Sequence, residues 1–364
     1  MNGSVVAASL GRTSMVTFIV STYALPVWLG LALRSIQAQE RSDWQALVIG
    51  DACGPETEAV VDSLDDSRFR YINLPARIGE QAGPNSVGLA IAEGSYVALM
   101  NHDDVLLPDH LTIALDTMAA ERTNFFVGRS AVAWGTREIS GSETAPDFQW
   151  FAPANRQAKD VFRRSHLLFE PCSAWVIDRS LAQRVGAWRS SLQGHRPSIQ
   201  EWLMRAWRSG AQFSFDAPLT CLRFNKNYQS TGGGAYADST PPPAWFENCL
   251  RQAAGSTRKQ IVEELFSQPR KRDLQLPRPL PESRLRRAVI RIFVNSLTAE
   301  LYRRTGWDAF EKTLTLMGSS KGALGSRLSD VRTGFDLARA PTIQSVVEQV
   351  VAEERTLANT GKQL

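Results

Sequence analysis

Four short apolar runs, Val16–Val20, Trp44–Gly50, Phe69–Leu74 and Tyr96–Met100, recur within the first hundred residues, and a stretch with helical spacing follows each of the first three. Runs of this length between turn residues read as buried strands. The stretches between them, about Pro26–Gln39, Glu56–Leu64 and Pro84–Ala92, read as helices. Strand–helix repetition predicts an α/β architecture, a mainly parallel central sheet flanked by helices. Ligands of such sheets bind beyond the carboxyl ends of the strands. The residues there are Ser21-Thr22-Tyr23, Asp51-Ala52-Cys53-Gly54, Pro75-Ala76-Arg77 and Asn101-His102-Asp103-Asp104, all polar, charged or turn-forming. Four such segments on one edge predict a single cleft.

Met15 to Leu33 contains 19 residues without a charge, about the length of a membrane span. Ser21, Thr22, Tyr23, Pro26 and Gly30 interrupt it, and the apolar pattern changes from a block to helical spacing at Leu29, Leu33 and Ile36. A strand, a polar turn and a helix explain this better than a span or a signal peptide. Farther along, the pattern predicts a helix at about Pro108–Arg122, a strand over Phe125–Trp134 and a loop over the cleft at 135–158. A short strand at Ser173–Ile177, a helix at Ile199–Ser209 and a strand region at Phe213–Phe224 follow. Asn225–Pro243, with its Gly and Pro triplets, reads as a mobile loop or boundary, and Trp245–Phe266 as a helix.

Charge divides the chain. Its net charge of +4 combines 20 Lys/Arg against 12 Asp/Glu in residues 251–364 with 21 against 25 in residues 1–250. A linker from Gln268 to Pro281 is dense in Pro and basic residues. Beyond it, Ser283–Arg304 reads as a basic amphipathic helix with Arg284, Arg286, Arg287 and Arg291 beside apolar residues. This helix either attaches to an anionic inner-leaflet surface or packs on the main domain with its arginines solvated. The four cysteines show no CxxC pair or metal-ligand spacing, so neither a disulfide scaffold nor a structural zinc site is expected. No nucleic-acid motif accompanies the basic excess, and nucleic acid is not an expected partner.

Asp103 and Asp104 follow an apolar strand directly. Adjacent carboxylates there suit Mg²⁺ or Mn²⁺ on a diphosphate, or else they cap the helix that begins near Pro108. Asp51 raises the same choice between a turn and a hydrogen bond to a nucleobase or ribose. Trp175, Trp202 and Trp207 offer faces to a sugar ring, although tryptophans at helical spacing are by default core.

Together these segments resemble the inverting glycosyltransferases of family 2, with their Rossmann-like GT-A fold. The resemblance rests on Val16-Thr-Phe-Ile-Val-Ser-Thr-Tyr23, Leu33-Arg-Ser-Ile-Gln-Ala-Gln39 and Trp44-Gln-Ala-Leu-Val-Ile-Gly-Asp51. Gly88 through Asp104 and Pro108-Asp-His-Leu111 extend it, and it covers roughly residues 15–225. It implies a GT-A catalytic domain over 1–245 and a helical C-terminal extension with a basic Pro-rich linker over 246–364. Thr22 and Tyr23 would line the nucleotide pocket, Asp51 would hold the base, and Arg77 would lie near base or phosphates. Asp103 would hold the ribose and, with Asp104, the Mn²⁺ or Mg²⁺ on the diphosphate. Asn101 stands at the first acidic position of the DxD motif. Gly83-Pro84-Asn85 replaces an Ala-Arg-Asn, which keeps Asn85 but loses the Arg.

The implied activity is metal-dependent inverting transfer of a sugar from a nucleoside-diphosphate-sugar to a hydroxyl of a saccharide or lipid-linked glycan, in cell-surface polysaccharide synthesis. That chemistry needs a carboxylate base on the acceptor side. Gln200-Glu201-Trp202-Leu-Met-Arg205 is the nearest match and offers Glu201, although an ungapped count from Arg205 puts Ser198 or Ile199 at that position. His195 and Glu170 are fallbacks. The expected location is cytoplasmic, with peripheral inner-membrane contact through 283–304. The rival reading is a non-catalytic sugar-nucleotide or glycan-binding protein on a degenerate GT-A fold. A nucleotidyltransferase fits less well, because Ser21-Thr22-Tyr23-Ala24-Leu25 is not a Gly-rich phosphate loop.

Overall fold

The computed structural model describes residues 16–140, 143–152, 172–215, 218–225, 242–267, 296–323, 326 and 335–360. The alternation read from the sequence is present: β1 (Val16–Thr22), α1 (Pro26–Gln37), β2 (Trp44–Gly50), α2 (Pro55–Asp62), β3 (Phe69–Asn73), α3 (Ala82–Ile91) and β4 (Tyr96–Asn101). After β4 come β5 (Asp104–Leu106), α4 (His110–Glu121), β6 (Phe125–Val127), β7 (Arg129–Ser140), β8 (Glu143–Ala152), β9 (Trp175–Asp178), α5 (Arg179–Val185) and α6 (Ser198–Arg208). The described elements end with β10 (Phe213–Ser214), β11 (Leu219–Asn225), α7 (Trp245–Arg251), α8 (Ala254–Ser267), α9 (Ser296–Thr305), α10 (Ala309–Leu316) and α11 (Ile343–Thr360).

The main sheet has seven strands in the order β10-β6-β9-β4-β1-β2-β3. Only β9 runs against its neighbours, so the sheet is mainly parallel. Strand alternation divides its residues between two cores. Ile19, Leu47, Ile49, Val97 and Leu99 face Val87 of α3 and Trp202 of α6, while Phe18, Val20, Val48 and Met100 face Leu29 and Leu33 of α1 and Leu111 of α4. Gly88 lets α3 lie close on β1, because a Cβ there would stand 2.3 Å from a methyl carbon of Ile19.

A second sheet, β5-β11-β7-β8, stands at the carboxyl side of the first. The expected single strand over Phe125–Trp134 is divided at Gly128, where the chain passes from β6 in one sheet to β7 in the other. The loop expected at 135–158 is instead largely a hairpin of β7 and β8. Its polar composition suits a ribbon outside the main sheet, a placement that periodicity does not reveal. The helix expected over Trp245–Phe266 is two helices, α7 and α8, and Trp245, Phe246 and Ile261 pack with Trp28 and Leu222 beneath the second sheet.

Of the helix expected at 283–304, residues 283–295 lie outside the described residues, and 296–305 form α9. The Gln268–Pro281 linker, Glu170 and most of Asn225–Pro243 also lie outside them. α11 returns to the main sheet, where Ile343, Val346 and Val350 join the core on the α3 side and Glu354 pairs with Arg70. Among the described residues, no helix is long and apolar enough to cross a membrane.

Candidate active site

The site is assembled from the carboxyl ends of β1, β2 and β4 and the loop after β3. The turn after β1 is strained: Ala24 and Leu25 both occupy the left-handed region, at φ 52° and 59°, and Ala52 after β2 does so at 54°. Non-glycine residues adopt this conformation at a cost that the surrounding structure must offset, and such residues concentrate at ligand sites. The Tyr23 N–H donates to Nδ1 of His102 at 3.1 Å, which joins the β1 turn to the segment after β4. The Cys53 N–H donates to Asn73 Oδ1 at 2.8 Å and Asn73 Nδ2 donates to the Cys53 carbonyl at 2.9 Å, which joins the β2 turn to the end of β3.

Asp51 lies 3% exposed, and its two carboxylate oxygens accept the N–H groups of Ile78 and Gly79 at 2.7 and 2.8 Å. Burial pushes its pKa up to about 6, against the opposing effect of those hydrogen bonds and of nearby Arg77. Gly79 has φ +80°, a conformation open to glycine at little cost. The loop it belongs to reaches three parts of the site. Gly79 meets Asp51, the Glu80 carboxylate accepts from Ser191 N–H and Oγ, and Gln81 Oε1 accepts from the Cys172 thiol at 3.5 Å.

Arg77 lies over the Tyr23 ring, its guanidinium carbon 3.8 Å from the ring centroid. Its Nε and Nη2 are buried without a hydrogen-bond partner among the described residues. The same holds for Thr22 Oγ1, both side-chain polar atoms of Asn85 and Asp104 Oδ1. Native interiors satisfy nearly all such atoms, so those at this edge are candidates for contact with a polar ligand, although similar unpartnered atoms, among them both ring nitrogens of His110 and the indole N–H groups of Trp175 and Trp188, also lie elsewhere among the described residues.

Asp104 does not cap a helix. It opens β5, which pairs with β11 and sets Arg223 opposite Asp104. The carboxylate is buried, and its Oδ2 accepts from Asn101 Nδ2 at 3.1 Å and from the Ser173 hydroxyl. Desolvation, with the Asp103 charge beside it, raises its pKa. Asp109, which begins α4, likewise makes no capping bond and binds Arg258 of α8 instead, at 2.8 and 2.9 Å.

Among the described residues no three His, Cys, Asp or Glu side chains surround one point as a metal cage. The buried, unpartnered Oδ1 of Asp104 beside Asp103 nonetheless suits a hard cation that takes most of its oxygens from a bound diphosphate.

The structure thus brings Thr22, Tyr23, Asp51, Arg77 and the Asn101–Asp104 segment to one edge, with Asn85 on the adjoining helix. Glu201 is placed differently. Its carboxylate accepts from Arg205 Nε at 2.8 and 2.9 Å and lies 3.2 Å from Arg189. It lines a cavity of about 780 Å³ with Arg196, Arg208, Tyr302 and Trp307, and none of Thr22, Tyr23, Asp51, Arg77, Asn85, Asn101, Asp103 or Asp104 lines that cavity. Ser198 and Ile199, at the start of α6, are both buried. His195 is engaged with α10, its N–H donating to Glu311 at 2.8 Å. Trp175, Trp188 and Trp202 form a buried stack with interplanar angles of 13° to 22°, so Trp175 and Trp202 are core. Ser173, Cys172, Gln81, Glu80 and Arg223 belong to the site without having been marked by their sequence surroundings.

A mainly parallel sheet with adjacent carboxylates and an arginine stacked on an aromatic ring at its carboxyl edge defines an α/β protein whose ligands are expected at that edge. Residues 17–186 match the family model Glycosyl transferase family 2. The succinoglycan biosynthesis protein ExoO of Rhizobium meliloti is 28% identical over 162 residues, covering 43% of this chain and 46% of that protein. The Escherichia coli protein WfgD, a UDP-Glc:alpha-D-GlcNAc-diphosphoundecaprenol beta-1,3-glucosyltransferase, is 24% identical over 132 residues, covering 36% and 51%. The chain spans about half the length, or less, of these curated relatives. A solved structure of S. aureus TarS with UDP-GlcNAc aligns at a TM-score of 0.46 and 16% identity, covering 84% of this chain and 92% of that one.

Proposed function

We propose that this protein moves a sugar from a nucleoside-diphosphate-sugar donor to a hydroxyl of a saccharide or lipid-linked glycan, with inversion and with a divalent cation. The observation that carries this is the set of unpartnered buried polar atoms around Tyr23, Arg77 and Asp104 at the carboxyl edge. Tyr23 and Arg77 offer stacking and cationic surface to the nucleoside, and Asp51 fixes the loop that carries Arg77. Asp103 and Asp104 are the residues that would hold Mn²⁺ or Mg²⁺, which neutralises charge on the departing diphosphate when bound. The acceptor oxygen forms a bond to the anomeric carbon as the bond to the diphosphate oxygen breaks, and its proton passes to a carboxylate. In this reading Glu201 is that carboxylate, which requires its pairs with Arg189 and Arg205 to open and the cavity it lines to join the donor edge.

The named activities of ExoO and WfgD support a place in cell-surface polysaccharide or lipid-linked glycan assembly. We propose with this a cytoplasmic location and peripheral contact with the inner membrane, supported by the lipid-linked acceptor in the name of WfgD. We assign the donor chemistry to a catalytic domain over 1–245 and treat 246–364 as its helical extension.

The arginine pairing of Glu201, and the apolar Ile199 at the start of α6, favour a second reading in which a nucleotide-sugar is bound without transfer. Calorimetric titration with UDP, GDP, TDP and CMP, with and without Mn²⁺, together with Mn²⁺-dependent donor hydrolysis, separates the two. Binding of one diphosphate that Asp104→Ala abolishes, together with hydrolysis that Glu201→Gln lowers, supports the enzyme. Binding without hydrolysis or transfer supports the binder, and no binding at all overturns both.

A further inference from the structure

The C-terminal region contributes an aromatic ring to the cluster at the β1 and β2 ends. The Arg77 guanidinium carbon lies 3.8 Å from the Tyr23 ring centroid and 4.4 Å from the Phe335 ring centroid. The same Phe335 ring covers Gly79, where an added Cβ would stand 2.2 Å from its Cδ1 and 3.0 Å from Leu337 Cδ2. Gly79 is the residue whose N–H binds Asp51, so one aromatic side chain touches both the cation and the loop on which the pocket depends.

Phe335 is held in place by its own neighbours. Leu337 is 2% exposed, and the Asp336 carboxylate accepts Ala338 N–H at 3.0 Å to start a short 3-10 turn. α11 follows, with Ile343, Val346 and Val350 in the main core. The ring is therefore carried by an anchored segment.

The arrangement has a consequence for Arg77. With aromatic rings over it, a planar guanidinium retains its edge for hydrogen bonding, and here Nε and Nη2 on that edge have no partner among the described residues. Two N–H donors on one edge match a group that offers paired oxygens, as a phosphate does. A buried cation with unmet donors is costly, and a bound anion would meet that cost.

We propose that Phe335 is a positioning residue of the donor site: it clamps Arg77 against Tyr23 so that the guanidinium edge faces a nucleoside diphosphate. This rests on reading the cluster as a nucleotide site, and it makes donor affinity depend on the C-terminal region as well as on the α/β domain. The test is calorimetric titration of UDP, GDP and TDP with Mn²⁺ into the full chain as wild type, Phe335→Ala, Phe335→Leu, Phe335→Tyr, Arg77→Ala and the Arg77→Ala/Phe335→Ala double variant. Phe335→Ala weakens the preferred diphosphate about ten-fold, Phe335→Leu several-fold, and Phe335→Tyr restores it, as expected for a face-on cation contact. In the Arg77→Ala background, Phe335→Ala has no further effect, which a general loss of stability would not reproduce.

Wild-type affinity in both Phe335→Ala and Phe335→Leu, or losses that simply add in the double variant, overturns the clamp and leaves the nucleotide site standing. Absence of diphosphate binding in the wild type overturns the nucleotide site and the clamp with it.

Discussion

The Ser173 hydroxyl donates to the buried carboxylate of Asp104 and, at 3.0 Å, accepts the backbone N–H of Asn101. One side chain between β8 and β9 thereby sets the orientation of the acidic pair at the end of β4. Ser173→Ala is expected to lower Mn²⁺-dependent diphosphate affinity about 10- to 100-fold, the scale of a lost hydrogen bond to a charged group. Calorimetry checks this, with circular dichroism to establish that the variant is folded. Unchanged affinity would mean that Asp104 needs no such support.

Asp51 makes stability depend on pH in a direction opposite to that of a salt-bridged carboxylate. Its folded pKa of about 6 lies above the ordinary value of 3.8, so the folded chain binds the extra proton. The penalty is fully present above about pH 6 and is relieved as pH falls toward 4, with an upper size of about 3 kcal/mol. Urea denaturation of wild type and Asp51→Asn between pH 4.5 and 7 measures it. The wild type should gain stability on acidification relative to the variant.

His110 acts in the other sense. It is fully buried beside Phe126, its two ring nitrogens lack partners among the described residues, and desolvation lowers its pKa to about 3. Its neutral form is compatible with the fold above the unfolded value, and stability is lost as pH falls below about 6.5. His110→Leu should therefore be more stable than wild type at pH 4.5 by about 2 to 3 kcal/mol, with a much smaller difference at pH 7.5. Equal acid sensitivity of the two proteins in denaturant titrations would contradict this.

Trp202 stacks on Trp188 with ring centroids 5.4 Å apart and donates from Nε1 to the Gly186 carbonyl at 2.9 Å. Trp202→Ala should cost about 3 to 5 kcal/mol in chemical denaturation, as expected for emptying a large core site. Acceptor affinity in the remaining folded fraction should not change.

The parallel part of the fold was legible because β1, β2, β3 and β4 are apolar blocks separated by helical spacing, a local signal. The cluster at their carboxyl ends followed from the same pattern, and Thr22, Tyr23, Asp51, Arg77, Asp103 and Asp104 stand at that edge. The β7–β8 hairpin was not legible, since its polar, Gly-containing sequence reads locally as a loop and only pairing with β11 makes it a sheet. Ser173 and Phe335 were out of reach for a related reason. Each acts through a contact across a long stretch of chain, 69 residues between Ser173 and Asp104, and neither lies in a motif. Glu201 matched a motif by composition, and its i+4 pair with Arg205 lies within that motif, but the second arginine, Arg189, and the cavity around them come from packing that spacing does not encode.

The left-handed residues Ala24, Leu25 and Ala52 bear on timing. A backbone already fixed in an uncommon shape when the chain folds has little left to rearrange when a ligand arrives. Association should then run near the rate of productive encounter, with little loop-ordering entropy, and differences among nucleotides should appear in how long each one stays.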